Sequence, residues 1–298
     1  MSHANRRQFL RTSLVLGSAV ASMRPLGSLA ALADKPGSKM QLGFCTYLWG
    51  QDWDLPTLIA NCEKAGVLGV ETRTEHKHGV EPSLNAQQRA EVRKRFTDSK
   101  VKFLGPGSNE AFHYAEAAQL EKSIARAKEF VKLSHDCGGT GVKVKPNDLP
   151  KGVPVEKTVA QIGKALNEVG KFAAEFGQEI RLEVHGGCAQ LPVMKQIMDH
   201  VDQPNVGLCW NCNGEDLQGE GLASNFNLVK NRLGGTAHIR ELNVGDYPYQ
   251  QLFDLLTRMD YAGWVLLECR TKQDDRVAAM QEQKALFAQM IAKAQAGL

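Results

Sequence analysis

The fold is decided by four short segments in the second half of the chain: Arg181-Leu182-Glu183-Val184-His185, Gly207-Leu208-Cys209-Trp210-Asn211, Ala237-His238-Ile239-Arg240 and Val265-Leu266-Leu267-Glu268. Each resembles a buried strand and carries one residue that could bind a metal. Those residues, Glu183, Asn211, His238 and Glu268, are separated by 28, 27 and 30 positions. This is about one strand, loop and helix, since about 250 residues make the eight units of a (β/α)8 barrel. The spacing therefore predicts that the four side chains converge at one end of a barrel.

The rest of the chain alternates between strand and helix periodicity, which predicts a parallel sheet with helical crossovers. Eight strands and no dinucleotide-binding glycine fingerprint favour a single-domain (β/α)8 TIM barrel over residues 34–298. The predicted strands are Gln41–Leu48, Leu68–Arg73, Val101–Leu104, Gly141–Lys145, Ile180–His185, Val206–Trp210, Ala237–Leu242 and Trp264–Glu268. The predicted helices are Leu55–Ala65, Ala86–Ser99, Glu116–Cys137, Val155–Phe176, Pro192–Val201, Pro248–Met259 and Asp275–Ala294.

Residues 1–33 are predicted to be an export signal. Arg6 and Arg7 precede an apolar stretch, and Ala31-Leu32-Ala33 offers small residues for cleavage before Asp34. The paired arginines favour the twin-arginine route and a periplasmic location. An ordinary secretory signal or a membrane anchor is the alternative, although the apolar stretch is too short to span a bilayer well. Twin-arginine export carries folded proteins, so a metal could be loaded before export.

Composition narrows the range of partners. The formal net charge is +3, and removal of the four arginines in residues 1–33 gives −1 (3 − 4). A nearly neutral domain gives no support for nucleic-acid binding, and no later apolar run is long enough to span a membrane. Seven cysteines, an odd number, do not suggest a disulfide framework. A small molecule is the expected partner.

Several polar residues near the strand ends are candidates for binding or catalysis. Glu183 and His185 share one strand face, because side chains alternate along a strand. Glu183 could bind a metal or form an ion pair with Lys143 or Lys145. His185 lies too far along the strand to share that metal, so it is expected to contact substrate, with a structural role as the alternative. Two carboxylates, an imidazole and an amide suit a divalent cation.

Other candidates for shaping the pocket lie near the second and fourth strands: Glu71, Arg73, His76, His78, Lys143 and Lys145. Trp49, Trp53 and Trp210 could stack on a sugar ring. No phosphate cradle is evident, although Arg270 and Lys272 after the eighth strand could hold a phosphate. For each of these residues, a surface ion pair or a place in the core is an equally good interpretation.

Two motifs carry a resemblance to a known family. Glu183-Val184-His185-Gly186 and His238-Ile239-Arg240-Glu241 resemble patterns of the xylose isomerase-like, sugar phosphate isomerase/epimerase barrels. The segments 75–81 and 143–147 resemble an exported branch. The resemblance implies one divalent ion, manganese, cobalt, magnesium or zinc, held by Glu183, Asn211, His238 and Glu268. It adds Asn147, Asn213 and Glu241 as substrate-binding candidates. Asn211 departs from the aspartate of the better-known epimerases. It could instead contact only substrate, with water in its place at the metal, and the nearby Asn213 could exchange roles with it.

The resemblance also implies a reaction. A metal bound to a keto sugar would favour an enediolate, with Glu183 and Glu268 as base and acid and His185 assisting. Isomerisation, epimerisation and, on 3-keto-glycosides, lyase chemistry all remain open. A carbohydrate-binding barrel without turnover is a second hypothesis, supported by Asn211. An abasic-site endonuclease is disfavoured, since it would need three zinc ions and a basic face for DNA.

Overall fold

A computed structural model describes residues 35–298, so the predicted export signal lies outside the described residues. Eight parallel strands and eight α-helices alternate along this part of the chain. The strands are β1 (Gln41–Cys45), β2 (Gly69–Arg73), β3 (Lys102–Ala111), β4 (Gly141–Lys145), β5 (Glu179–Glu183), β6 (Val206–Asn211), β7 (Leu233–Ile239) and β8 (Trp264–Leu267). The helices are α1 (Leu55–Ala65), α2 (Ala86–Thr97), α3 (Ala117–Asp136), α4 (Val155–Ala174), α5 (Leu191–Asp199), α6 (Leu222–Val229), α7 (Tyr249–Arg258) and α8 (Arg276–Ala296).

The strands form a closed barrel in sequence order, and β8 pairs with β1. This confirms the predicted single TIM barrel. Every neighbouring pair is parallel, so all eight carboxyl-terminal strand ends lie at the same end of the barrel. The loops that follow the strands surround this end, which is called the mouth below.

Alternation along β5 shows how each strand serves two environments. Ile180 and Leu182 belong to the hydrophobic layer between the strands and the helices. Glu179, Arg181 and Glu183 have the opposite parity and point into the barrel, because successive side chains of a strand point to opposite faces. Glu183 is last in the strand and therefore lies at the mouth.

The interior below the mouth is filled. Cys45, Leu104 and Leu266 form a small apolar cluster, with Trp264 packed against it. Gly69 makes room for this indole, since a Cβ at that position would lie 2.4 Å from Trp264 Cε3. Among residues 35–298, no helix is long and apolar enough to cross a membrane.

Local signals fix both ends of helix α1. Asp54 caps α1 by accepting a hydrogen bond from Thr57 N at 2.9 Å, and Pro56 lies in the first turn, where the missing amide hydrogen costs little. The helix ends at Gly66, whose φ of 69° places it in the left-handed region. These signals are local, which is why the predicted bounds of α1 are confirmed.

Most predicted bounds shift by a few residues, and three elements differ from the sequence prediction more than the others. Strand β3 continues to Ala111, beyond its predicted end at Leu104 and through Gly105-Pro106-Gly107. Its pairing with β2 shifts register at this point, and the strand goes on. Helix α6 was not predicted, because its eight residues include Ser224, Asn225 and Asn227, which favour helices weakly. Strand β7 begins at Leu233 and ends at Ile239, earlier than predicted at both ends.

A charged network crosses the lower part of the barrel. Arg181 is buried and its Nε lies 2.7 Å from Glu179 Oε2. Its other two nitrogens donate hydrogen bonds of 2.8 Å to the carbonyl of Leu104 and to Thr140 Oγ1. Glu179 in turn accepts from the amide of Gly235 at 2.9 Å. One guanidinium thus links β5 to β3, to the start of β4 and, through Glu179, to β7.

Replacement of Arg181 is expected to destabilise the barrel strongly. Arg181→Met removes a buried charge and leaves its partners without a donor, so the free energy of unfolding should fall by about 3–5 kcal/mol. Lys195→Met, which removes an exposed ion pair with Asp199, should cost less than about 1 kcal/mol. Urea unfolding followed by circular dichroism measures both, and equal effects would contradict a structural role for the network.

Candidate active site at the barrel mouth

A cavity of about 120 Å³ opens at the mouth. It is lined by polar side chains from the ends of five strands and the loops beyond them: Tyr47, Arg73, Lys143, Lys145, Glu183, His185, Glu268 and Arg270. A surface depression beside α2 is larger, at about 830 Å³, but contains none of the candidate metal ligands. The convergence of charged groups, rather than volume, therefore locates the candidate site.

Glu183 lines this cavity and is held from two sides. Its Oε2 is 2.7 Å from Lys143 Nζ, and both side chains are buried. Its Oε1 accepts a hydrogen bond of 2.9 Å from Asn211 Nδ2. Burial alone would favour the protonated acid, but Lys143 and His238 hold the pKa of Glu183 well below its usual range. The carboxylate is therefore ionised, and the ion pair with Lys143 that the sequence allowed is present.

His238 is oriented by a second buried carboxylate. Its Nε2 lies 3.1 Å from Glu71 Oε1, and its Nδ1 lies 3.6 Å from Glu183 Oε1. Gly107 leaves room for Glu71, since a Cβ there would lie 2.7 Å from Oε1. Burial opposes a charge on the ring, yet Cys209 and Glu71 raise the pKa of His238 well above its usual range. The imidazole is thus fixed with its Nδ1 towards Glu183.

Glu268 completes the group from the other side of the barrel. It directly follows β8, and its backbone amide donates to the carbonyl of Ile239 at 2.7 Å. Its buried Oε2 has no hydrogen-bond partner among residues 35–298, and the nearest cation is Arg270 Nη2 at 3.6 Å. The side chain of Glu268 therefore keeps one oxygen free at the cavity.

The donor set fits a divalent cation. Glu183, His238 and Glu268 each offer an atom within 4.8 Å of the others. His238 Nδ1 and Glu268 Oε2 are buried and have no hydrogen-bond partner within the described chain, although such atoms normally have one. Asn211 is joined to Glu183 and can offer an amide oxygen, a ligand that hard cations accept. Cys45, Glu71 and His238 also lie close together, but Glu71 Oε1 is already taken by His238.

His185 faces the cavity with one nitrogen fixed. Its Nδ1 lies 3.0 Å from Asn147 Oδ1, and Asn147 is held in the left-handed region at φ 71°. An amide oxygen only accepts, so Nδ1 carries the hydrogen and Nε2 is left as an acceptor. Burial lowers the pKa of His185, which favours the neutral ring. A neutral imidazole next to two carboxylates can accept a proton.

Residues 59–290 match the family model described as the xylose isomerase-like TIM barrel. The chain belongs to this family. Among curated proteins, none matches the chain by sequence.

Solved structures of similar fold are sugar epimerases in several cases. One of L-ribulose 3-epimerase has a TM-score of 0.73 at 16% identity, covering 87% of this chain and 96% of that one. A 3-keto-D-glucoside 4-epimerase from E. coli gives 0.69 at 15% identity, with 84% and 99% covered. The IOLI protein with a bound zinc atom gives 0.73 at 16% identity, with 86% and 99% covered. At such identities the likeness shows the fold alone.

Within this xylose isomerase-like barrel, the predicted substrate-binding residues divide into two groups. Arg73, Lys143 and Lys145 line the cavity. The others are not among its lining residues: Glu71, His76, His78, Asn147, Asn213 and Glu241.

All six members of the second group have structural contacts instead, and His76 Nδ1 lies 3.3 Å from Thr46 Oγ1. Glu71 holds His238, and Asn147 holds His185. His78 bonds to the carbonyl of Arg73 and the amide of Val80.

The other two hold backbone near the mouth. Asn213 donates to the carbonyls of Val184 and Asn211. Glu241 accepts from the amides of Arg270 and Thr271 and fixes the loop after β8. These contacts place them as supports of the residues that line the cavity.

The sequence prediction missed Tyr47 and gave Arg270 only a minor place. Tyr47 lies just beyond β1, and the guanidinium carbons of Arg73 and Arg270 lie 4.8 Å and 5.7 Å from the centre of its ring. The tryptophans considered for sugar stacking, Trp49, Trp53 and Trp210, are buried in the hydrophobic core. Tyr47 is the aromatic side chain among those that line the cavity. It fell within the predicted strand Gln41–Leu48, near its carboxyl end, and that position was the available signal.

Asn211 offers a test of the metal site. In Asn211→Asp, a carboxylate replaces the amide that donates to Glu183, so two like charges meet unless a cation separates them. Without metal, the free energy of unfolding of the variant should be lower than that of the parent protein by about 1–3 kcal/mol, so the variant should unfold at a lower temperature. Mn²⁺ should stabilise the variant more than the parent protein.

Thermal unfolding with a chelator and with Mn²⁺ measures this effect. Asn213→Asp is the matched control, because the Asn213 side chain donates to backbone carbonyls. A Mn²⁺ response of equal size in both variants, or none in Asn211→Asp, would argue against Asn211 as a ligand.

Proposed function

We propose that the protein is a divalent-metal-dependent epimerase or isomerase of a keto sugar or sugar derivative. The observation that carries this proposal is the convergence of Glu183, His238 and Glu268 at the barrel mouth. His238 Nδ1 and Glu268 Oε2 are buried there and have no hydrogen-bond partner within residues 35–298. Such atoms are costly to bury without a partner, and a bound cation removes that cost. Glu183, His238, Glu268 and, through its amide oxygen, Asn211 would hold it.

Membership of the xylose isomerase-like family supports the reaction class. Structures of similar fold are named as a ketose epimerase and a 3-keto-glucoside epimerase, and another binds zinc. Their names describe substrates with a carbonyl beside a hydroxyl-bearing carbon. Two carboxylates at a cation site are suited to removing a proton from the carbon beside such a carbonyl and returning it.

When bound, a divalent ion would polarise the carbonyl and acidify the neighbouring C–H bond. The residues of the chain supply the proton transfers. Lys143 keeps Glu183 ionised, which is the state that can accept a proton. Glu268 stands across the cavity and can return a proton to the opposite face of the same carbon, which gives epimerisation. Return to the adjacent carbon gives isomerisation.

The neutral ring of His185 adds a third proton acceptor. With Nδ1 bonded to Asn147, its Nε2 can accept a hydrogen bond from a hydroxyl group of the sugar. The role of His185 is therefore to orient the substrate and assist the transfer. Lys143 can donate to an oxygen on which charge develops, because its ammonium lies at the cavity wall.

A carbohydrate-binding barrel without turnover is the second candidate. Two features favour it, because each reduces the negative charge among the candidate metal ligands: the neutral side chain of Asn211 and the ion pair between Lys143 and Glu183. Both weaken the attraction for a cation. A lyase acting on 3-keto-glycosides would use the same proton abstraction, and its product distinguishes it.

Hydrogen exchange tests the proposal directly. Protein loaded with Mn²⁺ or Zn²⁺ is incubated in D2O with keto sugars and 3-keto-glycosides, and carbon-bound deuterium is followed by NMR. We expect exchange, which Glu183→Gln and Glu268→Gln should each slow by at least about 10²-fold, since each removes a positioned base or acid. His238→Ala should lose the metal.

Glu110→Gln is the matched control, because this half-buried carboxylate accepts from Ser123 outside the cavity and its loss should leave exchange unchanged. Absence of exchange on every substrate would favour the binding barrel, and an unsaturated product would identify a lyase. Normal exchange in both catalytic-residue variants with metal bound would exclude both carboxylates as the base.

We also propose that residues 1–33 direct the protein to the periplasm by the twin-arginine route, on the sequence of Arg6 and Arg7. Changing both arginines to lysine should retain the precursor in the cytoplasm, as measured by cell fractionation and immunoblotting. Unimpaired export of that variant would indicate the general secretory route.

A further inference from the structure

The cavity carries more positive charge than its carboxylates balance. Four cationic side chains, Arg73, Lys143, Lys145 and Arg270, share the lining with two carboxylates, Glu183 and Glu268, which leaves +2 (4 − 2). Lys143 is matched by Glu183, and Arg270 lies near Glu268. Within residues 35–298, Arg73 and Lys145 form no ion pair with any carboxylate. A divalent ion bound beside them would add to the excess.

Arg73 and Lys145 are nevertheless held close together. Both donate to the same oxygen, Asn109 Oδ1, with Arg73 Nη2 at 3.4 Å and Lys145 Nζ at 3.0 Å. Two like charges at one amide repel each other, and such an arrangement is stabilised when an anion joins them. In agreement with this, burial and the neighbouring Lys143 lower the pKa of Lys145 to about 8.

The backbone of Arg73 is fixed before any ligand arrives. Its amide donates to Thr46 Oγ1 at 2.9 Å, and its carbonyl bonds to His78 Nε2 at 2.9 Å. The Nε of its side chain is buried and has no hydrogen-bond partner in the described part of the chain. A buried, charged donor is stabilised when it finds an acceptor. The acceptors that best match the geometry of a guanidinium are a carboxylate and a phosphate.

Tyr47 brings the second arginine to the same place. The guanidinium carbons of Arg73 and Arg270 lie 4.8 Å and 5.7 Å from the centre of its ring. Arg270 is exposed, so this side of the cavity faces solvent. With a volume of about 120 Å³, the cavity is smaller than typical ligand pockets of about 300–1,000 Å³. The reacting end of a sugar would lie at Glu183 and Glu268, and its other end would extend towards Tyr47, Arg73, Lys145 and Arg270, the lining residues here termed the cationic rim.

We infer that the cationic rim binds an anionic group, a carboxylate or a phosphate, carried by the sugar at the end away from the reacting carbon. The inference rests on the proposed function for the sugar part of the ligand; the charge of the rim stands independently of it. The substrate class is thereby narrowed from keto sugars in general to sugar acids or sugar phosphates.

Matched pairs of probes test the inference by calorimetry. The carboxylate arm compares 5-keto-D-gluconate with L-sorbose, which has a hydroxymethyl group in place of the carboxylate. The phosphate arm compares D-fructose 6-phosphate with D-fructose. In at least one arm the anion should bind at least about tenfold more tightly, because a hydrogen bond between charged groups adds about that much.

Variants locate the effect. Arg73→Gln and Lys145→Gln should each reduce the ratio of anionic to neutral affinity at least about fivefold, as expected when one charged donor is lost. Lys164→Gln, which removes an exposed cation on α4, should keep the ratio of the parent protein. Two independent rim variants keep the test valid if one of them fails to fold. Equal affinity for both members of both pairs, or a ratio unchanged in both rim variants, overturns the inference.

The outcomes separate this inference from the proposed function, because hydrogen exchange in D2O is measured on the same four probes. Preferential binding of an anion without exchange on any probe would support the rim and contradict the reaction. Exchange that is equally fast on neutral and anionic probes, with equal affinities, would support the reaction and overturn the rim.

Discussion

The ion pair between Lys143 and Glu183 is the contact on which the arrangement of the mouth depends. Both groups are buried, so each would be unstable without the other. With its charge matched, Glu183 can accept the amide of Asn211 on one oxygen and approach His238 on the same side. The residues at this end of the barrel are therefore arranged around the Glu183 carboxylate. Moving that carboxylate away would leave the buried ammonium of Lys143 without its partner.

The same pair reconciles two interpretations of Glu183 that the sequence presents as alternatives. A structural ion pair and a metal ligand appear exclusive when only strand neighbours are considered. In the folded barrel, the two oxygens of Glu183 face different partners, and the side chain can serve both roles. A cation bound at this carboxylate would compete with Lys143, and Asn211, which is neutral where an aspartate would be charged, would weaken the attraction for the cation.

Much of the fold followed from periodicity, since eight alternations of strand and helix leave few arrangements other than the observed barrel. The convergence of Glu183, His238 and Glu268 also followed, because strand ends meet in one ring. Contacts across the barrel did not follow. Glu71 has the sequence position of a residue at the mouth, yet its carboxylate lies under His238, which comes 167 residues later. The sequence gives the face of a strand on which a side chain lies, but not its partner on the opposite wall.

Short and irregular elements were also not predicted from the sequence. Tyr47 fell within the first predicted strand, which was expected to reach Leu48, whereas β1 ends at Cys45. The long β3 contains residues that favour turns in isolation. The filled interior below the mouth could not be predicted from any single strand either. Trp264, Leu104, Leu266 and Cys45 close the barrel from below, so that the residues described here leave the mouth as the open end. A molecule that enters must depart in the opposite direction through the same opening. A molecule bound at the mouth would therefore exclude a second one until it leaves.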